Sequence, residues 1–286
     1  MRILVVIVCV LAIQLWPVPS HSCCEMCWDV EPTPLDLMEE AGVRTELDSI
    51  AAVLSDPEQD VRLRWKAALA LGQLCNDRAT PMLLHALQDS EKFVRLGAAE
   101  ALYFMPSPQL AKPLCRTAMT DPNTEPRHAA VRALSAIKSV EATDCLFAVV
   151  GNEQEKVPVR ALATMLIRQQ ISEREGFEDL IPLLNDPDST IRGEVAMILL
   201  DVYESEPDVV ASLSIMKTLQ DVVIDPEIQH STLMAVIERL EQEANRDFMG
   251  EIHHSQVFSD SGAREFVYLQ IKAWAAEKDP QSRSGE

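Results

Sequence analysis

Aspartates and arginines that recur at a fixed spacing are the first residues of this chain that could do chemistry. They stand at Asp56, Arg64, Asp89, Arg95, Asp121, Arg127, Arg160, Asp186 and Arg192. A carboxylate beside a guanidinium could act in catalysis, but the same pair can also cap helices and join adjacent turns by charge-assisted hydrogen bonds. The second interpretation is the stronger, so we predict a structural ladder and no catalytic residue.

Cysteines near the N-terminus are a second candidate. Cys23, Cys24 and Cys27 place three thiols within five residues, which could form a local disulfide, carry a lipid or bind a soft metal such as Cu(I). No fourth ligand is in reach, and Trp28 stands where c-type haem attachment needs a histidine. We therefore predict a disulfide or a lipid at these residues.

The remaining candidates for chemistry are scattered. His253 and His254 lie near Asp260, and we interpret this segment as a solvated loop instead of a metal site. The chain contains no hydrolase, nucleotide-binding or metalloprotease motif, so we predict no enzyme activity, no cofactor and no metal. Three further cysteines occupy apolar helical positions and are interpreted as buried small hydrophobic residues. They are Cys75, Cys115 and Cys145.

The elements that must position these residues repeat about every 32 residues. Most copies have an Asp-containing turn, usually Asp-Pro, then an arginine and an alanine-rich segment; the fourth copy is marked by Arg160 without such an aspartate. Apolar residues three and four apart predict a second helix between the turns, as at Leu180–Leu184. We expect the proline in the first turn of the following helix, with the aspartate as its cap. One hairpin cannot bury its own apolar face, so the predicted fold is an all-α, right-handed α-solenoid of about six stacked antiparallel helix hairpins.

The Asp-Pro…Val-Arg…Ala-Ala-x-Ala-Leu-Gly phrase at Asp56–Gly72 resembles the HEAT family, in its short subtype first seen in phycobilin lyases. The resemblance covers roughly residues 45–241. It implies the fold but little about activity, because scaffolds, lyases and di-iron hydroxylases share it. The hydroxylases carry His-Glu pairs, and none of the six histidines here is followed by glutamate.

A helical stripe of aromatic and charged residues is the predicted binding surface. Aligning the second helices places equivalent positions at spacings i, i+4 and i+7, facing away from the alanine-rich side; the third row includes Gly72, Tyr103, Ser135 and Arg168. Aromatic residues and arginine are favoured at recognition hot spots. The alternative is that Trp65 and Tyr103 only fill the first repeat interfaces. The predicted partner-binding residues are Trp65, Glu100, Tyr103, His128, Arg132 and Arg168.

The organisation of the chain predicts export. Residues 1–22 have a basic start, a short apolar core and small residues before Cys23, as a signal peptide does. Residues 23–44 are predicted to be a Cys-rich linker or capping arm, and residues 45–241 the repeat array. Residues 242–278 are predicted to form a loop and then a capping helix, whose apolar period runs through Phe266, Val267, Ile271 and Trp274. Residues 279–286 are predicted to be a disordered tail. We expect a periplasmic or secreted protein, which would be membrane-anchored only if Cys23 carried a lipid.

The formal net charge of −20 disfavours phosphate-rich partners. We therefore predict an exported, non-enzymatic scaffold that binds a protein or peptide on its concave face, and no nucleic acid. Two alternatives remain open. One is an envelope-tethered lipoprotein with a metal- or lipid-handling N-terminus. The other is a lyase-like accessory of cofactor attachment, although tetrapyrrole attachment to light-harvesting proteins is intracellular and fits an export signal poorly.

Overall fold

Paired helices joined by aspartate-containing turns make up this protein. The computed structural model describes residues 32–168, 177–205, 230–244 and 261–278, together with single positions between 219 and 249. All regular elements within these residues are helical, so the predicted all-α fold of helix hairpins is confirmed. The chain divides into two units, the first ending at Lys138 and the second beginning at Ser139.

The first unit contains a short leading helix followed by hairpins. Its α-helices are α1 (Pro34–Glu40), α2 (Leu47–Ser55), α3 (Val61–Leu74), α4 (Thr80–Ala86), α5 (Lys92–Tyr103), α6 (Ala111–Thr120) and α7 (Thr124–Ser135). Helix α2 pairs with α3, α4 with α5, and α6 with α7, while α5 packs between α3 and α7. The alanine-rich segments lie in these contacts: Ala67, Ala68, Ala98 and Ala99 have no exposed surface.

Two glycines allow α3 and α5 to approach closely. A Cβ atom at Gly72 would lie 2.7 Å from Cβ and 2.8 Å from Cα of Ala101. A Cβ atom at Gly97 would lie 2.5 Å from Cδ1 of Trp65. Glycine inside a helix costs about 1 kcal/mol relative to alanine, and this close packing is the physical reason for both glycines.

Helix α1 packs on the first hairpin, which favours the capping arm over the linker for this part of residues 23–44. The helix begins at a capping box, in which Thr33 and Asp36 each accept a hydrogen bond from the other's backbone N–H. Met38 is fully buried, and the backbone N–H of Leu35 donates to Oε1 of Gln73 at 2.9 Å. The arm is therefore bound to α3 by both apolar and polar contacts.

The turn within each hairpin follows one hydrogen-bond pattern. The carboxylate of Asp56 follows α2 and accepts from the backbone N–H two residues later, at 3.0 Å; Asp89, Asp121, Asp186 and Asp225 accept from the same relative position at 2.9–3.0 Å. The aspartate therefore closes an Asx turn and does not cap the following helix. The predicted place of proline was wrong as well, because Pro57 lies in this turn and α3 begins only at Val61, capped by Asp60.

The second unit repeats the hairpin pattern with one irregular member. Its elements are α8 (Val140–Val150), α9 (Val157–Arg168), a 3₁₀ segment (Phe177–Asn185), α10 (Ser189–Ser205), α11 (His230–Ala244) and α12 (Ser261–Lys278). Helix α8 packs on α9, the 3₁₀ segment on α10, and α10 on both α9 and α11. The α-helix expected around Leu180–Leu184 is a 3₁₀ segment, because Pro182 in its interior has no N–H to continue an α-helix.

The predicted C-terminal helix is present as α12. Val267, Ile271 and Trp274 are buried along one face, as their spacing of four and three residues requires. Phe266 is not part of this face and is 48% exposed, since its position is about 100° around the helix from Val267. Over the part of the chain that the structure describes, no helix combines the length and apolar character needed to cross a bilayer.

Candidate functional site

The aspartate–arginine residues pair between successive repeats within each unit. Each arginine also donates to carbonyl groups of the preceding helix or turn of its own repeat, as Arg127 does to the Asp121 oxygen at 2.8 Å. The inter-repeat ion pairs are Arg64–Asp89 and Arg95–Asp121 in the first unit, and Arg160–Asp186 and Arg192–Asp225 in the second. This arrangement ties one hairpin to the next through buried or nearly buried charges.

Arg95 shows how completely the ladder uses its polar atoms. Its guanidinium donates to both carboxylate oxygens of Asp121 at 2.6 and 3.1 Å, to Oδ1 of Asn123 at 2.8 Å, and to the carbonyl oxygens of Asp89 and Ser90 at 2.8 and 2.9 Å. The hydrogen bond to Asp121 is the main reason why the pKa of Arg95 is raised. With all five hydrogen bonds made inside the protein, Arg95 has a structural role.

Two residues of the ladder pattern are not among the nine predicted ladder residues. Asp225 accepts from Nε and Nη2 of Arg192 at 2.5 and 3.0 Å; burial acts to raise its pKa, but the hydrogen bonds from Arg192 and the backbone outweigh burial and lower it. Asn152 takes the turn position in the fourth repeat, where its Oδ1 accepts from the N–H of Gln154 at 3.2 Å. The sequence pattern shows Asn152 only if asparagine is allowed in place of aspartate.

Five of the six predicted partner-binding residues lie in the first unit, on its second helices. Trp65 is on α3, Glu100 and Tyr103 are on α5, and His128 and Arg132 are on α7; we call them the polar cluster. All five are half-buried. Cζ of Arg132 lies 5.2 Å from the centroid of the Tyr103 ring, within cation–π range. Because α5 packs between α3 and α7, the cluster extends across three repeats.

The sixth residue, Arg168, lies in the second unit, at the end of α9. Its guanidinium is paired with the carboxylate of Asp201 on α10, and its Nη2 donates to Oδ1 at 3.1 Å. The prediction that the third row of the stripe lies on the binding surface is also wrong in part, because Gly72 and Ser135 are buried. Gly72 faces Ala101, so that position serves helix packing.

Glu100 and His128 in the polar cluster both have pKa values shifted from those of the free side chains. Burial raises the pKa of Glu100, while the positive charge of Arg132 and the indole N–H of Trp65 act to lower it without cancelling the effect of burial. Burial lowers the pKa of His128, and the charge of Arg132 lowers it further. At neutral pH the imidazole is therefore uncharged.

Hydrogen bonding in the polar cluster is incomplete. Nε1 of Trp65 is buried and directed toward Glu100, but it makes no hydrogen bond of regular geometry within the described structure. Apart from that approach, the side chains of Glu100, His128 and Arg132 make neither a hydrogen bond nor an ion pair with any described residue. Buried polar groups in proteins are nearly always paired, so the indole N–H of Trp65 is an exception. The polar atoms of Glu100, His128 and Arg132 are not among the buried unpaired atoms, so a ligand could reach them from solvent.

Comparison with known proteins identifies the repeats. A family model described as HEAT repeats matches residues 47–117, which span α2 to α6. Residues 47–117 are thus identified as HEAT repeats. The predicted repeat type is confirmed over this part of the chain. A search of curated proteins finds no match to the chain.

Solved structures similar to this chain include natural and designed proteins. The complex of CpcE and CpcF of phycocyanin lyase from Nostoc sp. PCC7120 is 18% identical, with 91% of this chain and 98% of that chain covered and a TM-score of 0.38. A designed armadillo repeat protein is 15% identical, with coverage of 78% and 100% and a TM-score of 0.42. Human deoxyhypusine hydroxylase is 19% identical, with coverage of 85% and 100% and a TM-score of 0.29.

A groove of about 310 Å³ lies on the first helices of the HEAT hairpins in the first unit. Leu84, Leu87 and Pro113 supply apolar walls, and the exposed Arg116 lies at its edge. The Arg95–Asp121 pair also lines it, but the guanidinium of that pair is fully engaged. The groove offers one free cation beside apolar surface, and it is a second place where a ligand of the array could lie.

The cysteines of the repeats differ in part from the prediction. Cys145 is buried in the core, as predicted, whereas Cys75 and Cys115 are half-buried. All three are disulfide-bonded, which the prediction missed. Helical periodicity shows on which face a cysteine lies, but it cannot show which thiols meet in space. Cys75 is the C-cap residue that directly follows α3, and its backbone adopts the left-handed conformation, with φ of 49°.

Several predicted features lie outside the described residues. These are the signal peptide, Cys23, Cys24 and Cys27, the pair His253 and His254 with Asp260, and the tail at 279–286. Within the described residues, no three His, Cys, Asp or Glu side chains come together in a way that could hold a metal ion.

Proposed function

We propose that this protein is an exported, non-enzymatic scaffold of HEAT repeats that binds a protein or peptide through the polar cluster on α3, α5 and α7. The observation that carries the proposal is the buried indole Nε1 of Trp65, which has no regular hydrogen-bond partner among the described residues and lies beside the half-buried Glu100 and Arg132. A fold under selection for stability alone would pair or remove this N–H, because an unsatisfied buried group costs about 1–3 kcal/mol. A partner that supplies the missing hydrogen bond would recover this free energy on binding.

The composition of the polar cluster supports a protein partner. Tryptophan, tyrosine and arginine are the residues most enriched at binding hot spots, and here they lie on adjacent helices. Leu69 and Leu96 are half-buried one turn away from Trp65 and Glu100, so apolar contact surface adjoins the polar groups. The formal charge of −20 adds long-range repulsion of strongly acidic partners.

The disulfides support the export part of the proposal. Disulfide bonds persist in secreted and periplasmic proteins and are rare in the reducing cytosol of most cells. We expect Cys75, Cys115 and Cys145 to resist alkylation by iodoacetamide in the unfolded, unreduced protein and to be labelled after reduction, as peptide mass spectrometry would show. Labelling of all three before reduction would contradict both the disulfides and this support for export.

Binding at the polar cluster is tested with peptides selected from a random display library on the purified, disulfide-bonded protein. Arg132→Gln removes a cluster guanidinium, and Arg116→Gln removes a matched, exposed guanidinium at the groove in the same unit. We expect Arg132→Gln to weaken the selected peptides at least about tenfold, the worth of one good polar contact of about 1.4 kcal/mol, and Arg116→Gln to leave them unchanged. The reverse result would move the binding surface to the groove and refute the proposal.

A further inference from the structure

The disulfide bonds of the repeats involve an odd number of cysteines. The chain has seven cysteines, and three of them are among the described residues: Cys75, Cys115 and Cys145. All three are disulfide-bonded, and each disulfide bond joins two cysteines. At least one bond therefore leads to a cysteine that precedes residue 32, where the described part of the chain begins. The cysteines in that segment are Cys9, Cys23, Cys24 and Cys27.

We infer that Cys75 is bonded to one of Cys23, Cys24 and Cys27, which we call the N-terminal thiols, so that the capping arm is joined covalently to the first hairpin. Cys9 lies in the predicted signal peptide and would leave with it. This bond goes beyond the proposed function, because it does not depend on what the polar cluster binds.

The position of the arm favours Cys75 over the other two described cysteines. Helix α1 packs on α3, and the backbone N–H of Leu35 donates to Oε1 of Gln73 at 2.9 Å. Cys75 follows Gln73 by two residues and comes directly after α3. Cys115 is on α6 and Cys145 is on α8, and both helices belong to later hairpins. Cys75 is thus the cysteine of the hairpin on which the arm is already held.

The chain that leads from α1 to the N-terminal thiols is long enough for this bond. Cys27 precedes Leu35 by eight residues, and eight residues of extended chain span up to about 29 Å. Cys75 is two residues from Gln73, the contact of Leu35, which is a span of at most about 7 Å. Because the Cα atoms of bonded cysteines lie about 4.4–6.8 Å apart, the bond can close while Leu35 keeps its hydrogen bond to Gln73.

Formation of this bond needs an oxidant, and its class follows from the chemistry. The two thiols lose two protons and two electrons, and one S–S bond forms between their sulfur atoms. A thiol–disulfide oxidoreductase takes up both, because its own disulfide reacts through a mixed disulfide and is released as two thiols. Such oxidants act in export compartments. The bond therefore requires the predicted export, and a thiol used in it cannot carry a lipid.

Peptide mapping of the exported wild-type protein tests the bond directly. Free thiols are blocked with N-ethylmaleimide in denaturant before digestion, so that no exchange follows. Trypsin cleavage after Lys66 and Arg78 releases Cys75 in peptide 67–78, and cleavage after Arg44 leaves all the N-terminal thiols in one peptide. The other two cysteines fall in peptides 96–116 and 139–156. Each array peptide thus carries one cysteine and can be linked to one partner only.

We expect peptide 67–78 in a species that also contains the N-terminal peptide and that separates on reduction. A link from peptide 67–78 to peptide 96–116 or 139–156 would overturn the inference. Recovery of peptide 67–78 with maleimide on Cys75, without prior reduction, would overturn it as well.

Two serine variants provide a matched second test. Cys75→Ser frees one of the N-terminal thiols, so the N-terminal peptide should gain one maleimide before reduction. Cys115→Ser, in a later hairpin, should leave the link between peptide 67–78 and the N-terminal peptide in place. Unchanged labelling of the N-terminal peptide in Cys75→Ser would contradict the bond. If Cys75→Ser does not fold, the map of the wild-type protein still decides the question.

Discussion

Replacing Arg160 by methionine is the sharpest test of how the repeats are held together. Arg160 is 2% exposed, its guanidinium is paired with the Asp186 carboxylate, and its Nε donates to the carbonyl oxygen of Val150 at 2.8 Å. Methionine keeps much of the apolar volume but leaves the Asp186 side chain, which is 3% exposed, without its cation. Removing one member of a buried ion pair costs about 3–5 kcal/mol.

The same helix contains a matched control. Arg168 is also paired with an aspartate, Asp201, but these side chains are 42% and 41% exposed. Exposed pairs contribute about 0–1 kcal/mol, so Arg168→Met should change the free energy of unfolding little. The two variants make the same chemical change on α9 and differ in burial.

Urea unfolding followed by circular dichroism measures both variants. With a slope of about 1–3 kcal/mol per molar urea, a loss of 4 kcal/mol by Arg160→Met should lower the midpoint by more than 1 M. The double variant Arg160→Met with Asp186→Leu should recover most of the loss, because an apolar pair replaces the uncompensated charge. Equal costs for Arg160→Met and Arg168→Met, or a double variant as unstable as Arg160→Met alone, would refute the ladder as a buried charge network.

Three further predictions concern α3 and the polar cluster. Gly97→Ala should destabilise the protein by about 1–3 kcal/mol in the same assay, because its Cβ would overlap Trp65; a gain, as helix propensity alone predicts, would contradict this packing. Asp60→Ala should cost about 1 kcal/mol, since Asp60 accepts from two backbone N–H groups at the start of α3, whereas Glu46→Ala, at a helix start without a side-chain bond, should stay within about 0.5 kcal/mol. Because the pKa of Glu100 is raised in the folded state, wild type loses stability as pH rises above the unfolded value of about 4.5. Glu100→Gln should therefore be more stable than wild type at pH 7, by on the order of 1 kcal/mol, with the difference vanishing near pH 4; an advantage that does not change with pH would show that ionisation is not its cause.

The repeat period predicted which residues would be equivalent, but not which of them touch. Spacings near 32 residues placed Arg95 and Asp121 in successive copies. The structure adds that four arginines reach forward to the aspartate of the next repeat within their unit: Arg64, Arg95, Arg160 and Arg192. The position of Pro57 was mispredicted because proline suits both a first helical turn and an Asx turn, and the sequence pattern does not distinguish these two positions. The hydrogen bond from the backbone N–H of Glu58 to the Asp56 carboxylate shows that Pro57 lies in an Asx turn.

The polar cluster was predicted more completely than its neighbours because it depends on helical spacing alone. Equivalent positions on adjacent second helices must lie side by side once the hairpins stack, so Trp65, Glu100 and Arg132 were placed together correctly. Gly72 was misplaced because its burial depends on the close approach of Ala101, a distance that no periodicity encodes. The disulfides were missed for the same reason, since they depend on distances between segments far apart in sequence.

Arg95 and Arg132, on adjacent helices of one unit, show how the fold separates stability from recognition. Arg95 makes five hydrogen bonds to carboxylate, amide and carbonyl groups within the protein. Arg132 makes none with a described residue, and its Cζ lies 5.2 Å from the centroid of the Tyr103 ring, although a half-buried carboxylate, Glu100, is near enough to influence it. Natural sequences tend to break local rules where function requires it. The ladder meets those rules, whereas the polar cluster leaves the indole N–H of Trp65 without a regular partner and buries the carboxylate of Glu100 at a cost that raises its pKa. This is why substitution at Arg160 should lower stability, whereas substitution at Glu100 should raise it at neutral pH.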